Sequence, residues 1–385
     1  MNNNRLASID SFRALTMLLM IFVIDLWSVN NSPVWLSHAG ADEDRMGLAD
    51  VVLPCFMFII GLSIPHAVKA RLDLGGTWLG GCAHILIRSI SLIFMGLIVV
   101  NFDNINAGAM IIPRSYWQLI MVIAILLIWN QYRSDNVFNV VPKRVMQATG
   151  WALIGFLGFV FKGHDGSWMQ IHWWGILGLL GWSYGVCAFI YLLASDRLLV
   201  LGVAVLGFMA LNINEFIGDL HWRFVVSASN YFSVMLGVFC SAMYVQLQQK
   251  RNTFTALVVL ACLAILLVAF GFATRPEWGI SKILATPSWT TICAGISISI
   301  FIAMVILVDV KKHKSCFSIV KAGGTATLTC YFAQYFVYSV MDISGAHWPE
   351  FVQHGYLGLL RSLLFSVLII QMVYWAGKIN IKLNI

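Results

Sequence analysis

Residues 47–68 read GLADVVLPCFMFIIGLSIPHAV, a run in which Asp50 is the one acidic or basic side chain apart from His66. A helix needs about 20 apolar residues to cross roughly 30 Å of hydrocarbon. In lipid the run has to be helical, because its backbone N–H and C=O groups find no water to pair with. Working outward, segments 12–29, 79–100, 116–130, 145–161, 173–194, 197–213, 225–246, 254–272, 288–308, 318–340 and 357–376 repeat the pattern. Several are short, so partly buried loops are expected beside them. Composition agrees. Hydrophobic residues are 60% of the 385 and charged residues 11%, against about 45–50% and about 25% in soluble domains. Mean hydropathy is +0.83. The prediction is an all-α polytopic membrane helical bundle of about 12 transmembrane helices, one domain over residues 1–385. Soluble enzymes, disulfide scaffolds, disordered hubs and nucleic-acid binders are excluded.

Orientation follows from Lys and Arg in alternate gaps. One set of gaps holds sixteen: Arg5, Arg13, Lys69, Arg71, Arg133, Lys143, Arg144, Arg197, Lys250, Arg251, Lys311, Lys312, Lys314, Lys321, Lys378 and Lys382. The other holds six: Arg45, Arg114, Lys162, Arg223, Arg275 and Lys282. Arg88 and Arg361 fall inside segments. This asymmetry places both termini in the cytoplasm and makes the net charge of +7 a topological signal. The first apolar run lacks an A-x-A cleavage site and carries Asp25, so it reads as a retained helix rather than a signal peptide. The eight cysteines form no C-x-x-C and lie almost wholly within segments, where they read as packing residues, with no metal site implied.

The outer gaps are chemically dense. His38, His164, His172, His221, His347 and His354 map there, with ten of the seventeen acids. Trp27, Trp35, Trp117, Trp168, Trp173, Trp174, Trp222, Trp278, Trp289 and Trp348 lie in or beside the outer ends. An interfacial belt accounts for many of these. The excess over the inner side, marked only by Trp78, Trp129 and Trp375, also suits a cavity for a hydroxylated ligand.

Ionisable residues inside membrane helices are costly and mark function. Asp25 ends the first segment, Asp50 begins the second and His38 lies between them, so all three are expected at one outer mouth. An imidazole with a carboxylate partner makes a general base, whereas Asp50 can equally serve the helix dipole, with His38 as an ordinary loop residue. His84 and Arg88 share a helix face four residues apart. With Arg13, Lys69 and Arg71 they make a basic inner vestibule for a phosphorylated ligand, unless Arg88 pairs with Asp25 or Asp50. Arg361 either snorkels or binds a carboxylate or sulfate. No Walker A loop, G-x-S-x-G elbow, H-E-x-x-H or dinucleotide fingerprint occurs, and Gly323-Gly324 reads as a helix-packing pair.

The run Arg5-x-x-Ser8-Ile9-Asp10-Ser11-Phe12-Arg13-Ala14-Leu15-Thr16-Met17, then His38-Ala39, then residues 47–61 from Gly47 through Asp50, Pro54 and Phe56 to Gly61, resembles the opening of the heparan-α-glucosaminide N-acetyltransferase family. These are transmembrane acyltransferases of lysosomes and bacteria. Weaker echoes are Gln118, Ser281-Lys282 through Pro287-Ser288-Trp289, and Gly324-Thr325-Ala326-Thr327-Leu328. The resemblance is strongest over residues 5–65.

It implies acetyl transfer from cytosolic acetyl-CoA, a co-substrate, to the amine of a terminal glucosamine, heparan-type or a related amino sugar, on the outer side. His38 takes the catalytic position and Asp50 its carboxylate partner; with that reaction, the reading of the residues assigns Asp25, Lys282, Trp289 and Arg361 to the substrate and Lys69, Arg71, His84 and Arg88 to the CoA. The implied location is a bacterial plasma (inner) membrane, with lipid around the bundle; a homodimer is compatible with the chain. The sequence departs from the family where an Asn is expected at Ile24 or Asp25, an Arg at Leu119 and an Asn at Ala326. Lysosomal members lack a counterpart of the helical pair at 173–213 and carry a lumenal N-terminal domain not expected here. From another class, a proton-coupled secondary transporter of sugars or amino sugars, with Asp25, Asp50 and His38 as relay, is the alternative. Against it stands the absence of half-to-half sequence symmetry.

Overall fold

The computed structural model describes residues 6–132, 142–171, 173–218, 226–313 and 317–385. Arg5, Arg133, His172, Asp219, His221, Trp222, Arg223, Lys314 and Cys316 lie outside the described residues. A helix forms at every one of the twelve apolar segments. These are α1 (Ala7–Asp25), α2 (Leu48–Asp73), α3 (Trp78–Asp103), α4 (Arg114–Trp129), α5 (Lys143–Val160), α6 (Gly175–Ala194), α7 (Leu198–Ile217), α8 (Ala228–Lys250), α9 (Thr253–Trp278) and α10 (Pro287–Met304), then α11 (Lys321–Thr325) with α12 (Thr327–Ser344), and α13 (Gly355–Lys378). The segment expected at 318–340 is therefore two helices, broken where Ala326 leaves helical geometry at φ −135° and ψ 41°. The expected helical pair at 173–213 is α6 and α7.

Among the described residues, nine helices are long and apolar enough to cross a membrane. The chain is an all-α polytopic membrane protein. At 16 residues, α4 is about 24 Å long, short of the hydrocarbon thickness. Helices α5 and α12, 18 residues each, are not among the nine.

The chain divides into two compact units. The first comprises Met1–Thr16, Pro33–Ile90 and Leu179–Ser318; the second comprises Met17–Ser32, Ser91–Gly178 and Ile319–Ile385. In the first, Phe58, Ile59 and Leu62 of α2, Phe232 and Leu236 of α8, Leu260 of α9, and Ile298 and Phe301 of α10 form one buried core. Helices α2 and α8 meet glycine to glycine. A Cβ at Gly61 would lie 2.0 Å from the Val234 carbonyl oxygen, and one at Gly237 would lie 2.1 Å from that of Phe58. Small residues let backbones approach in this way where lipid supplies no hydrophobic drive between helices. This contact fixes the height and rotation of α2, whose first turn carries Asp50.

The second unit buries Trp117 of α4 completely, its Nε1–H donating to the Leu157 carbonyl of α5 at 3.2 Å. Asn101 there exchanges two 3.0 Å hydrogen bonds with the backbone of Gln170. The buried Gly323 and Gly324 fit the packing role read from sequence.

Candidate active site

The start of α2 is capped by the loop that precedes it. The first N–H groups of a helix have no partner within it. Here Leu48 N–H donates to the Trp35 carbonyl at 2.8 Å and Ala49 N–H to the Leu36 carbonyl at 3.2 Å. So close an approach needs glycine at the cap: a Cβ at Gly47 would lie 2.0 Å from the Ser37 carbonyl oxygen. Asp50, third residue of the helix, turns its carboxylate back into the loop. Its Oδ2 accepts from Gly47 N–H and from Ala39 N–H, both at 3.0 Å. The backbone on both sides of His38 is thereby tied to α2, and the His38 Nδ1 lies 2.6 Å from Asp50 Oδ1.

Asp50 is 1% exposed and the His38 side chain 36%. A carboxylate can only accept, so the short contact assigns the Nδ1 proton to His38. That leaves Nε2 as the basic lone pair, with no hydrogen-bond partner among the described residues. One side chain thus makes both sets of contacts, Oδ2 with the backbone N–H groups and Oδ1 with His38.

A second loop closes on the first. Asp44 accepts from Arg275 Nε at 2.9 Å and from Ile280 N–H at 2.7 Å, and Arg275 Nη2 donates to the Asp44 carbonyl at 3.1 Å. The Arg275 hydrogen bond, aided by the Ile280 N–H and the guanidinium charge, holds the Asp44 carboxyl below the usual carboxylate range. Ser281 Oγ donates to the Ala41 carbonyl at 3.2 Å. Thr286 caps α10, its Oγ1 accepting from Trp289 N–H at 3.4 Å and from Ser281 N–H at 3.1 Å. Asn212 of α7 donates to the Ala285 carbonyl at 3.0 Å.

These bonds deliver Lys282 to the dyad, with its Nζ 3.1 Å from His38 Nδ1 and 3.7 Å from Asp50 Oδ1. An ammonium cannot donate to a nitrogen that already carries a proton, so with Nδ1–H directed at Asp50 the attraction of Lys282 is to the carboxylate. Burial lowers the Lys282 ammonium from the usual lysine range, with Asp50 opposing that shift. Trp289 is 5% exposed. It packs with Ile280, Ile292 and Cys293 against Met46 and Val51, a buried ring rather than an open stacking face. Trp27, Trp35, Trp168 and Trp173 are at least half exposed, as belt residues are.

The expected vestibule is only partly assembled. A recess in the first unit is lined by Arg71, His84, Tyr184 and apolar neighbours, and the Arg88 guanidinium lies 4.9 Å over the Tyr184 ring. Its free volume of about 20 Å³ has room for roughly one water. Lys69 pairs instead with Asp196 at 2.5 Å, and Arg13 contacts Asp10 and Ser63.

Asp25 belongs to the second unit, where its carboxylate is taken by Arg361 Nη2 at 2.9 Å and by the Tyr338 hydroxyl at 2.5 Å. Arg361, 7% exposed, is therefore an internal ion-pair partner, with its guanidinium 5.2 Å over the Trp348 ring. Among the described residues Asp50 forms no ion pair with Arg88, whose guanidinium lies over Tyr184. Among the described residues no group of three or more His, Cys, Asp and Glu could hold a metal ion.

Sequence reasoning missed the Asp44–Arg275–Ile280 staple and the cap at Thr286. Thr286-Pro287 before an apolar run is a readable cap signal; a pair 231 positions apart has no local signature.

No family model matches the chain. The heparan-alpha-glucosaminide N-acetyltransferases of Mus musculus and Homo sapiens are each 35% identical to it, over 99 and 98 residues. The matched stretch is 26% and 25% of this chain and 14% of either relative. The relationship to that family is distant, and it covers about a quarter of the sequence.

Proposed function

We propose that this protein is a multi-pass acetyltransferase that passes acetyl from acetyl-CoA to the amine of a terminal glucosamine, on a heparan-type saccharide or a related amino sugar. The observation that carries the reading is the His38–Asp50 dyad. Its Nδ1 proton is committed to a buried carboxylate, its Nε2 is open, and its backbone is clamped to α2. The acceptor amine arrives as an ammonium. Nε2 of His38 takes one proton from it; the amine nitrogen attacks the thioester carbonyl, the C–N bond forms, the C–S bond breaks, and the second proton lost by the nitrogen goes to the leaving thiolate, so that CoA departs as the thiol. Asp50 keeps the imidazole in the competent tautomer and stabilises the imidazolium. General-base catalysis of this kind is worth about 10²–10⁴-fold, and holding both substrates together adds to it.

On this reading both termini face the cytoplasm of a bacterial inner membrane. Arg71, His84 and Arg88 meet the CoA phosphates at the mouth of their recess, while Lys69 is committed to Asp196. Asp25 and Arg361 are buried as an ion pair and take no part in this mechanism.

The test is mass spectrometry of amino sugars incubated with purified protein and acetyl-CoA. An acetylated product is expected, with turnover in His38→Ala reduced about 10²–10⁴-fold. Near wild-type turnover in His38→Ala would overturn the role of that residue. Uptake of labelled sugar by proteoliposomes without acetyl-CoA, and with no acetylated product, would overturn the enzymatic reading in favour of a transporter.

A further inference from the structure

We infer that Lys282 is a positioning residue of the dyad, not a ligand of the acceptor: its ammonium balances the charge of Asp50 and so keeps His38 neutral and able to act as a base. The inference rests on the proposed role of His38 for its functional meaning, but not for its physical content.

The geometry separates the two roles. Lys282 Nζ lies within 3.7 Å of both members of the dyad, and its side chain is 26% exposed. An ammonium in that position repels the ammonium of an amino sugar, the opposite of what an acceptor ligand must do. A buried Asp50 alone would draw a proton onto His38, because an imidazolium beside a carboxylate is a favourable pair. Lys282 is the cation that already occupies that carboxylate. A second positive charge on the ring, 3.1 Å from Nζ, is then disfavoured.

Other charged groups lie on the same loop and on the neighbouring helices. On its own loop, Glu43 accepts from Gly40 N–H and pairs with Arg45, and Asp44 pairs with Arg275 of α9; Asp42 completes the loop's acids. From α2 the facing group is Asp50. From α10 the nearby titratable group is the buried Cys293, a neighbour of Asp50 and Lys282. Lys282 is thus the cation placed on the dyad. The staple of Asp44, Ser281 and Thr286 explains how a turn 244 positions away is held accurately enough to do this.

The test reads His38 directly, without any substrate. Diethyl pyrocarbonate reacts with the neutral imidazole at an open nitrogen, and the extent of modification of His38 is followed by peptide mass spectrometry across pH. In Lys282→Met the pH at which His38 is half-reactive is expected to rise by about one unit, as removal of a neighbouring like charge requires. At a pH below that midpoint the modification rate falls by up to about tenfold. Lys282→Arg is expected to restore the wild-type curve. Coincident curves for Lys282→Met and wild type, in protein whose thermal unfolding shows it folded, would overturn the inference. Equal shifts in Lys282→Met and Lys282→Arg would also overturn it, because they would assign the effect to packing. Should Lys282→Met fail to fold, Lys282→Gln is read in the same way. A shifted curve in a protein that acetylates no amino sugar would sustain the charge role of Lys282 while removing the acetyltransferase reading.

Discussion

Replacing Asp50 by asparagine changes one atom's hydrogen-bonding sense and leaves the volume intact. The structure dictates how the amide must turn. Oδ2 of Asp50 faces two backbone donors, Ala39 N–H and Gly47 N–H, each at 3.0 Å. An NH₂ group placed there would leave both buried donors unsatisfied, at about 1–3 kcal/mol each. The amide oxygen therefore takes that side, and the NH₂ faces His38 Nδ1, which must then accept. Lys282, 3.1 Å from the same nitrogen, becomes a second donor to it. The imidazole proton moves to Nε2, and the lone pair needed for base catalysis is gone.

Turnover is expected to fall about 10²–10⁴-fold, the range assigned to a positioned general base. KM for acetyl-CoA should stay close to its wild-type value, because the change is felt in the transition state rather than in binding. Stability should drop by only about 1–2 kcal/mol, the difference between charge-assisted and neutral hydrogen bonds. The assay is steady-state acetylation of glucosamine by detergent-purified Asp50→Asn, with thermal unfolding in parallel. Turnover within about threefold of wild type in folded protein would refute the tautomer argument.

Gly61→Ala should destabilise the first unit by about 1–3 kcal/mol, because its Cβ would sit 2.0 Å from the Val234 carbonyl oxygen and 2.9 Å from Gly237 Cα. Gly377→Ala, with no neighbour within 4 Å, should be neutral or slightly stabilising, and equal melting temperatures for the two variants would contradict the glycine crossing. Arg361→Met leaves the buried Asp25 charge without its partner and should cost about 3–5 kcal/mol. Adding Asp25→Asn should recover part of that loss, and a double-mutant cycle with no coupling would show that the pair carries no energy.

Hydropathy is a local property, so the membrane class and all twelve helical segments were legible in the chain; each span must satisfy its own backbone in lipid. The break at Ala326 was not, because a helix of apolar composition tolerates a bend wherever neighbours re-satisfy the freed backbone groups. The His38–Asp50 dyad was half legible. Twelve positions and one helix start separate them, and the loop between is short enough to fold back.

Partner choice among buried charges lies at the other extreme. Arg361 reaches Asp25 across 336 positions, and the partly buried Lys282, from a distant turn of the chain, comes within 3.7 Å of Asp50. A buried charge takes whichever opposite charge the packing brings near. The sequence alone determined that such charges exist inside a membrane bundle and that they must be satisfied. Only the tertiary structure decided which one satisfies which, because the energy of an ion pair depends on a distance that no spacing along the chain encodes.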